Sequence, residues 1–345
     1  MVLTDWSFIV DGVDGLRRFA RFVQWSRYRS EATGRPHVVT LRRSIATFAR
    51  LACSLLWLAR AATAQDAQTP PSGPGAANIG AGHYRGSLRW YIADLKTSFP
   101  EHKSYSAQSA LTAANYRTVL SGLKTNVGVN GIRLPIFPRE SHASGYAPLY
   151  REIVSYARSL GLVIYASPMS VGMRDFAGWS DDQYAAWLAD YANQFRPEFL
   201  SPFNEAGISD EQMAEIVRRL RPMLTTQTLI LGPDRQHVDK TVEDLSHNGS
   251  MAQMFDIVDS HNANRDGSAT LSNWSELVQR EGRPVWSSEN PANWSVGADG
   301  SLPGADQAVN AGVQGLVIWA AKPSLVDDRG DATQKAREIV DHLAN

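Results

Sequence analysis

The chain alternates between short, continuous apolar runs and longer stretches in which apolar residues recur every three or four positions. The first apolar run covers residues 87–92, and a helical pattern follows over 109–123. The pair repeats as 131–135 with 149–160, 162–166 with 181–194, 199–203 with 210–220, and 228–231 with a short helix near Ser250. It continues as 255–260 with 272–281, 284–287 with 305–311, and 315–319 with 333–343. Each strand candidate is a continuous run rather than an alternating one, as expected of a strand buried on both faces. Strand–helix alternation implies parallel strands. Eight such units predict an α/β fold, a (β/α)8 TIM barrel over residues 86–345. An open doubly wound sheet is the competing arrangement. Its Gly-rich phosphate turn is missing after strand one, which reads Ile92-Ala93-Asp94-Leu95.

Composition changes this picture at the N-terminus. The 345 residues carry 34 Lys+Arg against 35 Asp+Glu, with 43% hydrophobic and 20% charged residues. These are the proportions of a globular protein, not of a disordered chain or a disulfide scaffold. Residues 1–64 hold ten arginines and four acids, however, leaving 24 basic and 31 acidic residues for the rest. Such asymmetry marks a segment with its own purpose. Residues 41–64 follow the order of a secretory signal: Arg42-Arg43, an apolar stretch richest from Leu51 to Ala59, and the small-x-small site Ala62-Thr63-Ala64. Arg50 and Arg60 interrupt the run, so a basic amphipathic helix on a membrane surface is the alternative. Residues 1–40 are expected to be an over-extended or non-structural segment, with the true start near 38–41. Residues 65–85 read as a flexible Pro/Gly-rich leader. Cleavage after Ala64 would remove Cys53, the one cysteine. The expected location is secreted or periplasmic. No apolar run reaches the roughly 18 residues of a membrane span, so no stable membrane insertion is expected after signal cleavage.

Barrel active sites lie at the C-terminal ends of the strands, which narrows the search to the residues closing each strand. Those are Trp90–Asp94, Arg133, Ser167-Pro168-Met169, Asn204-Glu205, Asp234, His261-Asn262, Glu289 and Trp319. Glu205 and Glu289 both follow apolar strands, the fourth and the seventh, which face each other across the mouth. Singly, each glutamate suits a helix cap or an arginine partner. Together they offer what glycosidic cleavage needs: one carboxyl to protonate the leaving oxygen, another to attack the anomeric carbon or activate water. Arg133 is expected to bond Glu289 and keep it ionised, or to form a structural salt bridge. His261 would position a carboxylate or touch a sugar hydroxyl, unless it is a satisfied rim histidine. Trp319, Trp294, Trp179, Tyr165 and Trp90 are candidate sugar platforms, because a pyranose face packs on an aromatic plane. Core packing competes for each, most strongly for Trp90. Asp234 is a sugar ligand or a helix cap.

These segments resemble a known group. Ser201-Pro202-Phe203-Asn204-Glu205 resembles the Asn-Glu signature closing strand four of clan A glycoside hydrolases, the cellulases, β-glucanases and glucosylceramidase-type enzymes. Trp286-Ser287-Ser288-Glu289 resembles their nucleophile strand, and 131–135 the strand whose arginine steadies that nucleophile. Residues 166–170 resemble strand three of the glucosylceramidase and glucuronoxylanase branch. The resemblance implies Glu205 as acid/base, Glu289 as nucleophile, Asn204 on the sugar 2-hydroxyl and Trp319 under the bound sugar. One departure is that no tyrosine follows His261 within the next few residues.

Other barrel chemistries lack their residues. Strands five to eight carry no lysine for a Schiff base, and Lys322 lies beyond strand eight. Trp90-Tyr91-Ile92 offers no His-x-His metal pair. Asn290-Pro291-Ala292 is no phosphate loop. The mature chain has no basic patch for nucleic acid. The expectation is a monomeric, retaining β-glycoside hydrolase binding a β-linked glycan, with no metal or organic cofactor implied. A non-catalytic polysaccharide-binding or assembly barrel, or a transglycosylase on the same residues, are the alternatives.

Overall fold

The computed structural model describes residues 84, 86–137, 147–169, 178–248, 251, 253–262, 270–290 and 303–344. The chain divides into two units, Met1–Gly75 and Ala76–Asn345. The expected signal, the N-terminal extension and nearly all of the leader lie outside the described residues. Eight parallel strands close into a barrel in sequence order, with β1 hydrogen-bonded to β8. They are β1 (Trp90–Asp94), β2 (Gly131–Ile136), β3 (Val163–Pro168), β4 (Phe199–Leu200), β5 (Leu229–Arg235), β6 (Ile257–His261), β7 (Val285–Asn290) and β8 (Gly315–Ile318). A helix follows each: α1 (Tyr116–Thr125), α2 (Pro148–Ser159), α3 (Asp181–Phe195), α4 (Asp210–Leu220), α5 (Val238–His247), α6 (Leu271–Glu281), α7 (Pro303–Ala311) and α8 (Gln334–Ala344). The TIM barrel expected from the apolar periodicity is the observed fold. No helix among the described residues is long and apolar enough to cross a membrane.

Local chemistry explains where elements start. Ser180, Ser209 and Thr270 each accept the backbone N–H three residues on, capping α3, α4 and α6. Several boundaries differ from the periodicity: β1 runs 90–94 rather than 87–92, and β5 and β7 extend to 235 and 290. α1 begins at Tyr116 rather than 109, because 106–115 fold into turns tied by Ser106, Ser109 and Asn115. α5 is a helix the periodicity does not show, because its apolar positions are sparse; the piece expected near Ser250 falls on 249–252, of which only Met251 is among the described residues, and it is helical. β4 ends at Leu200, although the Ser201 N–H still reaches the Ala166 carbonyl at 2.9 Å.

The barrel interior is layered. Ile92, Tyr165, Phe199, Leu231, Ile257, Trp286 and Val317 fill its lower part, with Trp90 and Val163 packed beneath. Phe199 and Trp286 have ring centroids 4.6 Å apart, and Trp90 and Phe199 5.1 Å. The outward faces of the strands pack on the helices, as Ile132, Leu134 and Ile136 do. Alternation along β1 and β2 then carries Asp94 and Arg133 inward above the plug.

Gly315, the register partner of Trp286, makes room for that ring: a Cβ there would lie 2.2 Å from Trp286 Cδ2. Gly315→Ala therefore overpacks the plug and should lower stability by about 1–3 kcal/mol. A reduced urea midpoint at unchanged slope is the expected reading.

Candidate active site

Backbone irregularity sets the site. β5 carries one extra residue between Pro233 and Arg235 relative to β6, and that residue is Asp234, at φ 55°. β7 carries one extra residue relative to β6 and again relative to β8, within Ser287–Asn290. Such bulges re-aim side chains. Here both Ser288 and Glu289 reach inward: Ser288 Oγ donates to Asp234 Oδ1 at 2.6 Å, while Glu289 meets Arg133. Glu205 is also left-handed, at φ 52°, and its N–H is held by the Asp234 carbonyl at 2.9 Å. Non-glycine residues in this region carry a strain of about 1–3 kcal/mol, sustained only where the surroundings enforce it.

Arg133 is fully buried and is the hub of the site. Its Nη1 donates to Glu289 Oε2 at 2.8 Å, to the Ser288 carbonyl at 3.0 Å and to Asp94 Oδ2 at 3.2 Å. Its Nη2 donates to Asn204 Oδ1 and to Asp234 Oδ2, both at 3.1 Å, and its Nε to Ser167 Oγ at 2.9 Å. Below it, the Tyr165 ring centroid lies 4.9 Å from the guanidinium carbon.

Above the hub stand the two glutamates. One oxygen of Glu205, one of Glu289 and a ring nitrogen of His261 all lie within 4.8 Å of one another. Both glutamates remain partly open to solvent, with side-chain exposures of 16% and 19%. His261 bridges Glu205 Oε1 and Asp234 Oδ1 with its two nitrogens, at 3.0 and 2.9 Å. Burial alone would lower the His261 pKa, but the charges of Glu289 and Asp234 and the bonds to Asp234 and Glu205 raise it to about 10. The ring is thus an imidazolium at neutral pH. Glu289 is the converse case. Burial would raise its pKa, but Lys96, His261 and Arg133 hold it down to about 2, so it is a carboxylate. Asp234 is likewise held below the usual carboxylate range by His261 and Arg133 against the effect of burial. Glu205, His261 and Glu289 are close enough to share a small cation. Lys96 and Arg133 already stand on Glu289 Oε2, however, so its charge is compensated by side chains.

The structure brings together Glu205, Glu289, Asn204, Arg133, His261 and Asp234. Trp319 follows β8 at the rim, half-buried, with its N–H on the Asn290 carbonyl at 2.9 Å. Trp294 lies outside the described residues. Two expectations change. Tyr165 is fully enclosed between Arg133 and Trp286, so it supports the hub and offers no ring face to a sugar. Asp234 is completely buried among Arg133, Ser201, Ser288 and His261, so it touches no sugar; nor does it cap α5, whose cap is His237. Trp90 sits in the plug, and Trp179 packs against Trp187.

Two residues escaped the sequence reading. Lys96, only 1% exposed, donates through Nζ to Asn204 Oδ1 at 2.8 Å and to Glu289 Oε2 at 3.2 Å. Asp94 accepts the Lys96 backbone N–H at 2.7 Å and pairs with Arg133. For Asp94 the signal was its place two residues after Ile92, on the inward face of β1; Lys96 lies past the strand in the 3-10 turn Lys96–Ser98, which that alternation does not reach.

No protein-family model matches the chain, and no curated protein matches it in sequence. Solved structures share its fold. A GH30 endoxylanase from Clostridium papyrosolvens aligns at TM-score 0.55 with 15% identity, over 77% of this chain and 74% of that one. The family 30 subfamily 8 xylanase Xyn30A of Clostridium acetobutylicum aligns at 0.53 with 16% identity, over 74% and 71%. Fungal β-1,4-galactanases align at 0.51 with 15% identity, over 74% and 99%. At these identities the likeness is one of fold, and it falls on glycoside hydrolases, the group the strand-end motifs resemble.

The His261 charge has a stability consequence. A folded-state pKa raised to about 10, against about 6.5 unfolded, gives stability that is complete below pH 6.5. It is lost as pH rises through 10. Wild-type stability should therefore exceed that of His261→Gln by an amount that shrinks across this window, by up to about 1.4 kcal/mol per pH unit. Urea unfolding of both proteins at pH 6, 8 and 10 measures it.

Proposed function

We propose that the chain is a retaining β-glycoside hydrolase of clan A, cleaving a β-linked polysaccharide or oligosaccharide by double displacement. The observation carrying this reading is the pair Glu205 and Glu289, on opposite sides of the mouth with oxygens within 4.8 Å. Retention needs carboxyls about 5–5.5 Å apart, whereas inversion needs about 6.5–9.5 Å to admit a water. The spacing favours the shorter class. The electrostatics agree, since a carboxylate held ionised by Arg133, Lys96 and His261 is a nucleophile available at neutral pH.

In this mechanism Glu205 protonates the departing glycosidic oxygen while Glu289 bonds the anomeric carbon. Glu205 then takes a proton from the water that displaces Glu289. His261 fixes the Glu205 carboxyl, and Asp234 fixes His261. Asn204 has Oδ1 committed to Lys96 and Arg133, which leaves its amide hydrogens for the sugar 2-hydroxyl. Trp319 supplies an apolar surface at the rim. The β-1,4-galactanases and the xylanases among the fold neighbours make β-1,4-galactan and xylan the first substrates to try.

Glu289→Gln should retain the fold and lose turnover on every glycan. Glu205→Ala should slow cleavage of unactivated glycosides by about 10²- to 10⁴-fold. Reducing-end release on β-1,3-, β-1,4- and β-1,6-linked polysaccharides, with proton NMR of the first anomer formed, measures both rate and stereochemistry. An unchanged rate in Glu289→Gln, or an inverted product, sinks the reading.

We also propose export, with cleavage after Ala64. Amino-terminal sequencing of the exported protein should begin at Gln65; a terminus well upstream refutes it.

A further inference from the structure

We propose that Lys96 is a positioning residue for the nucleophile: its ammonium duplicates the bridge made by Arg133 between Glu289 and Asn204, reserving the second oxygen of Glu289 for bond formation. The proposal rests on the glycosidase reading above. Two different cations address the same two atoms. Glu289 Oε2 receives Arg133 Nη1 at 2.8 Å and Lys96 Nζ at 3.2 Å. Asn204 Oδ1 receives Lys96 Nζ at 2.8 Å and Arg133 Nη2 at 3.1 Å. Lys96 is itself fixed, buried beside Asp94, which takes its backbone N–H and lies 3.9 Å from its Nζ.

With Oε2 held by two cations, Oε1 is the oxygen that attacks. In the first step the Oε1–anomeric carbon bond forms and the glycosidic bond breaks. Its electron pair leaves on the departing oxygen, which takes the Glu205 proton. In the second step water attacks the anomeric carbon and gives a proton to Glu205. The bond to Oε1 breaks in the same step and returns its pair to Glu289. Cations beside Oε2 make that carboxylate a better leaving group, so Lys96 chiefly serves the second step. Glu289 is faced by Lys96 and Asp94 from the β1 end, Arg133 from β2, Asn204 and Glu205 from the β4 end, Asp234 from β5 and His261 from β6. Lys96 is the one of these three cations with no carboxylate other than Glu289 within 3.5 Å.

The test compares wild type with Lys96→Met and Lys96→Arg on an activated aryl β-glycoside. Lys96→Gln replaces the Met variant if that one fails to fold. Loss of the charge should lower kcat by about tenfold or more while changing kcat/KM less. The intact protein should then gain the mass of one glycosyl unit during turnover, and Lys96→Arg should recover part of the rate. Independently of any substrate, carbon-13 carboxyl titration of Glu289 should move upward by about one pH unit or more in the uncharged variant. An unmoved titration, or unchanged kcat, overturns the proposal. Absence of wild-type turnover on every glycan overturns the glycosidase reading instead, and the titration alone then decides whether Lys96 acts on Glu289.

Discussion

A guanidinium sealed inside the barrel is the constraint from which the rest follows. Arg133 has no access to solvent, so its charge and its donors have to be met by protein. They are met by residues from β1, β2's neighbour β3, the segment after β4, β5 and β7. One side chain thereby ties most of the strand ends to a common centre. A buried ion pair is weak support for stability in general, because desolvation offsets the attraction, whereas removing one partner is costly. At this hub the gain is geometric: the carboxylates have one place to be.

The charges are graded with height. The plug is apolar and aromatic. Arg133 lies on Tyr165 just above it, with Asp94 and Asp234 at its sides, and Glu205, Glu289, His261 and Lys96 stand at the mouth. Asp259, buried beside Asp234, is pushed well above the usual range by loss of hydration. It bonds the Asp234 N–H at 2.8 Å and so holds the β5 bulge in place. Each layer supports the one above it, and the two glutamates stand nearest solvent.

Much of this was legible in the sequence because a barrel converts strand ends into neighbours. Asn204, Glu205, His261 and Glu289 stand at the ends of apolar runs, and eight runs in order leave little freedom in where they meet; Arg133, expected to close the second run, lies inside β2, which continues to Ile136. Depth within the barrel was not legible. Tyr165 and Arg133 are register partners on adjacent strands, and only the stagger of the closed sheet decides that the tyrosine lies beneath the arginine. Bulges were equally hidden: Asp234 reads as the end of β5, but one extra residue turns it into the interior. Lys96 sits past the last strand residue, in a turn whose direction periodicity does not encode.

The aromatic plug also has a bearing on traffic. Trp90, Phe199 and Trp286 close the floor, leaving no axial passage from below. Among the described residues, whatever occupies the mouth meets a closed floor. On the glycosidase reading proposed above, a glycan lies across the rim, because the barrel axis beneath it is filled by side chains.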